Sequence, residues 1–173
     1  MNEIQKYFRY RQNLIDQYMK GDMTKREYLE RNYEAVVYSE IGPFRNMDTL
    51  EKALYNYQYY NALAKQMKSF STSKGIDYEL KRDYLERSQY HYNKKDKSAS
   101  RALQILDYQG VEAYFVKVQS KALKDKLFEI VLKEEDVILH STSPFLLKNL
   151  REEGVFSEEK RKSVIDFYVN HRY

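Results

Sequence analysis

Through the first two-thirds of the chain, apolar residues recur every three to four positions. That is the period of a helix with one buried face. Ile4, Phe8, Leu14, Ile15 and Tyr18 share such a face, and Gly21 follows as a C-terminal stop. Thr24 and Glu27 have the spacing of a capping box, in which each side chain bonds the other's backbone N–H. They open a second helix with Leu29, Tyr33, Val36 and Val37 inward, and Gly42-Pro43 ends it. Asp48 and Glu51 repeat the spacing and open a long third helix to about Phe70. Ser71 to Gly75 is polar and reads as a loop, and a fourth helix spans about Asp77 to Asn93. After Lys94-Lys95-Asp96-Lys97 a short fifth helix turns Ala99, Ala102, Leu103 and Leu106 inward.

The third helix is apolar over most of its circumference. Leu50, Ala53, Tyr57, Tyr60, Ala64 and Met67 share one arc, and Tyr55, Tyr59, Leu63 and Phe70 a second. Glu51, Gln58, Asn61 and Lys65 take the remainder. Two apolar arcs predict packing on two sides, at the centre of a bundle.

Beyond Gly110 the pattern changes to short runs rich in β-branched and aromatic residues. Val111 to Val118, Leu127 to Leu132 and Val137 to His140 read as strands. Ser143-Pro144 and Ser157 then start two final helices. The predicted fold is α+β. A mainly helical N-terminal bundle of about five helices occupies residues 1–109. A small α/β lobe over 110–173, packed on it, has a three-stranded antiparallel sheet and two C-terminal helices.

Composition narrows the chemistry. The 173 residues include 18 tyrosines but no tryptophan and no cysteine. Without cysteine there is no disulfide, no thiolate metal site and no cysteine nucleophile. No apolar run approaches the about 20 residues of a membrane span. Residues 1–18 lack the apolar core of a signal peptide, so a cytoplasmic location is expected. The net charge of +4 falls wholly within residues 1–110 and is too small to demand nucleic acid.

Two places could carry a function. The first is a surface on the tyrosine-rich helices: Tyr55, Tyr59 and Tyr90, with the basic run Lys94, Lys95 and Lys97. Rings there could stack on bases while cations track phosphates. Tyrosine at helical spacing more often fills a core, however, with its hydroxyl left at the edge. The second is His140, Ser141, Thr142 and Ser143, a junction between strand and helix whose free N–H groups would suit an anion. Ordinary capping accounts for the same residues.

No metal-ligand spacing, nucleophile elbow, Walker loop or dinucleotide fingerprint is present. No catalytic, cofactor-binding or metal-binding set is assigned, and no cofactor is expected. The leading expectation is a non-enzymatic interaction or adaptor protein, with a protein partner or a second copy of itself. The alternatives are nucleic-acid binding by the helical lobe, and an anion-binding or enzymatic site at 140–143.

Two stretches carry resemblances. Met19-Lys20-Gly21-Asp22-Met23-Thr24-Lys25-Arg26-Glu27-Tyr28 resembles the turn of short C-terminal helical-hairpin domains of bacterial proteins, and here it sits near the N-terminus. The stretches YNYQYYNALAK and EAYFVKVQSKALKDKLFEIVLK resemble a family of small uncharacterised bacterial proteins. That resemblance implies a small bacterial cytosolic protein and no particular activity.

Overall fold

Asn2 opens the first helix as a reciprocal cap. Its Oδ1 accepts from the Gln5 N–H at 2.8 Å, and its own N–H donates to Gln5 Oε1 at 3.1 Å. The structure is a computed structural model that describes residues 1–109 and, as backbone, 113–119, 126–132 and 138–141.

Helix α1 spans Glu3–Met19 and buries Ile4, Tyr7 and Leu14. Gly21 follows with φ +81°, a left-handed turn that costs glycine little. Thr24 caps α2 (Lys25–Val37) as the spacing predicts: its N–H donates to Glu27 Oε2 at 2.8 Å, and its Oγ1 accepts from the Glu27 N–H at 3.2 Å. The bond from the Thr24 N–H, and then the Thr24 hydroxyl, favour the Glu27 carboxylate and lower its pKa. Tyr18 stacks on Tyr28 at 4.7 Å across the connection.

Helix α3 (Leu50–Ser71) is capped by Thr49, not Asp48. Asp48 instead pairs with Lys52 at 2.7 Å. The two arcs of α3 meet different neighbours. Tyr55 and Ala62 join Ile4, Tyr7 and Val36 in a core cluster, with Phe8, Ala35, Ile41, Phe44, Tyr59 and Leu63 packed against it. The other arc faces the next helix, α4 (Tyr78–Tyr108). Ser88 Oγ donates to the Ala64 carbonyl at 2.9 Å, His91 stacks on Tyr60, and Lys95 lies over Tyr57. Phe70, at the C-terminal end of the Tyr55 arc, also meets α4, at Tyr84 near the connection. As α4 numbers rise, their α3 partners fall, so the two helices run antiparallel.

This is not the fold class the pattern predicts. Residues 1–109 hold four helices and no strand, so the α+β class with five helices is overturned. The expected fourth and fifth helices are one continuous α4 of 31 residues. Lys94 to Lys97 contains no glycine or proline, and lysine is a good helix former, so nothing there stops the helix.

Beyond residue 109 the backbone shows three strands, β1 (Ala113–Gln119), β2 (Lys126–Leu132) and β3 (Ile138–Ser141). They pair antiparallel, with Ala113 opposite Leu132 and Phe128 opposite Ser141. Three strands alone do not make the expected fold, because such a sheet needs a cover. The two terminal helices expected to cover it lie outside the described residues.

The chain divides into two compact units, Met1–Lys95 and Asp96–Tyr173. In the second, the end of α4 buries Ala99, Ala102 and Leu103. No helix among the described residues is long and apolar enough to cross a membrane.

Candidate functional site

The expected tyrosine surface is distributed between core and exterior. Tyr55 is fully buried, and its hydroxyl donates to the Ile41 carbonyl at 2.8 Å. Tyr59 is half-buried and Tyr90 is exposed. Lys94 is half-buried, its ammonium 5.7 Å from the Tyr90 ring centroid. Lys95 is buried, with its ammonium 5.0 Å from the Tyr57 centroid and 5.7 Å from that of Tyr92. Each is a cation resting on rings. Lys97 is exposed and belongs to the second unit. His140 and Ser141 lie at the end of β3, while Thr142 and Ser143 lie outside the described residues.

The rings form a chain instead of a flat patch. Phe8, Tyr7, Tyr55, Tyr59, Tyr60, His91 and Tyr90 follow one another at centroid distances of 5.0 to 6.2 Å. It runs from the core of the first unit to the exposed ring of Tyr90. Burial raises the pKa of Tyr7, Tyr55, Tyr59 and Tyr60, so these phenols stay protonated at neutral pH. Burial, and then the charge of Arg87, lower the pKa of His91. On the same stretch of α4, Arg82 pairs with Glu86 and Arg87 with Asp83. That pairing leaves less positive charge for a nucleic-acid backbone.

Two concave features are absent from the sequence expectations. The first is an open groove of about 420 Å³ beside α1 and the C-terminal end of α2. Tyr7, Ala35 and Ile41 form apolar parts of its lining, and Tyr10 and Tyr38 border it. Tyr10 is 45% exposed and Tyr38 81%. Glu3, Lys6 and Glu34 supply its charge, and Lys6 is bonded to Glu3. Tyr7 and Tyr10 are three apart on α1 and so share a face.

The second is a narrow cleft lined by Arg11 of α1, Tyr28, Leu29 and Asn32 of α2, and Gln58, Asn61, Ala62 and Lys65 of α3. Gln58, Asn61 and Lys65 are three of the four residues on the polar side of α3, and their spacing puts them on one face. That spacing was the available signal. What it could not show was that the polar face meets Arg11 of another helix. Among the described residues, no group of three or more His, Asp or Glu side chains could hold a metal ion.

The model of a family of unknown function, DUF6648, matches residues 1–173, and the chain belongs to that family. No curated protein and no solved structure matches the chain.

Proposed function

For this member of a family of unknown function, we propose a non-enzymatic, cytoplasmic protein-interaction role. Its docking site is the groove beside α1 and the end of α2. The observation that carries this reading is the pair of large exposed rings, Tyr10 and Tyr38, bordering a concave surface that includes Tyr7 and Ile41. Rings so placed offer apolar contact area with few rotamers to freeze, as at interface hot spots. Glu34 makes no ion pair among the described residues, and Lys6 is already engaged by Glu3, so the groove carries a negative excess. The partner is accordingly a segment of another protein with an apolar or aromatic anchor beside a Lys or Arg.

The test is photocrosslinking in cells, with p-benzoylphenylalanine placed at position 38 or, as a control, at position 90. The expected result is a defined adduct from position 38 that disappears when Ala35→Arg obstructs the groove. An adduct formed equally from both positions, or one indifferent to Ala35→Arg, overturns the reading. An adduct of twice the chain mass identifies a second copy as the occupant and overturns the separate partner.

A further inference from the structure

We propose that the cleft between α1, α2 and α3 binds a small oxyanion, a carboxylate or phosphate group, between Arg11 and Lys65. Neither cation makes a hydrogen bond or ion pair among the described residues. Both line the same cleft, and the charge of Arg11 acts against that of Lys65, a repulsion that an anion between them would relieve. Lys65 is exposed to solvent, and partial desolvation, then the charges of Arg11 and Lys25, lower its pKa.

The cleft wall supplies a second, independent observation. Gln58 Oε1 and Asn61 Oδ1 are buried there without a hydrogen-bond partner. A buried polar atom left unpaired keeps its full desolvation penalty, so paired amides are strongly preferred. A half-turn of each terminal amide exchanges oxygen for NH₂ at nearly constant shape. After that turn both amides donate toward the ligand, beside the guanidinium and the ammonium. Two positive charges in the cleft disfavour a cation, and an apolar ligand would leave the buried amides unpaired.

Size sets a further limit. The enclosed part of the cleft is about 10 Å³, room for one water-sized atom. The ligand therefore inserts a single oxygen and keeps its remainder at the mouth. The cleft and the tyrosine-bordered groove share no lining residue, so the failure of either reading leaves the other standing.

Thermal unfolding of the full chain in sodium phosphate, sodium acetate or sodium chloride at matched ionic strength tests this site. Phosphate or acetate is expected to raise Tm by about 3 °C or more over chloride. Arg11→Gln and Lys65→Gln are each expected to abolish that increment. Asn61→Asp, which builds a carboxylate into the cleft, should raise Tm in chloride and remove the response to added anion. A response to phosphate alone assigns a phosphate group, and one to acetate alone a carboxylate. Equal Tm in all three salts for the unaltered protein overturns the site. So does an increment that survives Arg11→Gln or Lys65→Gln, since phosphate excluded from the surface stabilises any fold and only a bound anion needs these two side chains.

Discussion

Asn56 closes on the backbone of Phe44 with both ends of its amide. Its Oδ1 accepts from the Phe44 N–H at 2.9 Å, and its Nδ2 donates to the Phe44 carbonyl at 2.8 Å. The pair copies the exchange between facing residues of an antiparallel ladder. It ties the irregular stretch 38–49 to the buried face of α3, where Asn56 is 2% exposed.

Substituting Asn56 by Ala or Leu removes both bonds and strands a backbone donor and acceptor. The expected loss is about 2–4 kcal/mol. Asn56→Asp keeps an acceptor but loses the donor to Phe44 and adds a charge to desolvate, so it is expected to be no milder. Urea unfolding measures both: the midpoint falls while the slope stays that of the unaltered protein.

Tyr55 separates packing from hydrogen bonding at one position. Tyr55→Phe keeps the ring and loses the hydroxyl, which bonds the Ile41 carbonyl and also interacts with Ser39, and should cost about 1 kcal/mol. Tyr55→Ala also empties a fully buried site flanked by Tyr7 and Phe44, and should cost about 3–5 kcal/mol. Near-equal losses for the two variants would show that the ring contributes little beyond its hydroxyl.

Ser88 and Ala64 mark where α3 and α4 come close enough for a side chain to bond the opposing backbone. Ser88→Ala should be mild, about 1 kcal/mol. Ser88→Leu forces a larger side chain into a site 3% exposed and should cost about 1–3 kcal/mol or more. Chemical denaturation followed by circular dichroism distinguishes the two.

His91 predicts an acid-side weakness. Its folded pKa lies below the ordinary 6.5, first through burial and then through Arg87; Tyr60 and Tyr90 are its ring neighbours. The unfolded chain therefore binds more protons at this site than the folded chain does. The contribution is fully present above about pH 6.5 and is lost as pH falls through the folded value. Stability of the unaltered protein minus that of His91→Phe, measured from pH 8 to about pH 5, should decline toward acid. A flat difference contradicts it.

Legibility of the fold followed the range of the forces involved. The Thr24–Glu27 cap and the two arcs of α3 rest on spacings of a few residues, and such spacings are visible in a sequence. Which neighbour each arc meets is a long-range matter: spacing leaves Tyr55 open to core or surface, and the fold makes it core. The break expected at Lys94 to Lys97 rested on charge, but charge alone does not end a helix. The Asp48 cap failed because Thr49 supplies the capping oxygen and Lys52 engages the aspartate. The cleft was legible only by halves: Gln58, Asn61 and Lys65 read as a polar face, and nothing local connects that face to Arg11.

The ring chain from Phe8 to Tyr90 has an optical consequence. With no tryptophan, the near-ultraviolet spectrum of this protein is dominated by tyrosine. Closely spaced rings held at fixed angles in an asymmetric interior produce circular dichroism that vanishes when specific packing is lost. Excitation can also pass from ring to ring, so an event at exposed Tyr90 or at buried Tyr7 changes the emission of the set. The molecule thus carries its own label: loosening of the first unit, or a partner docking on it, can be read without attaching a dye.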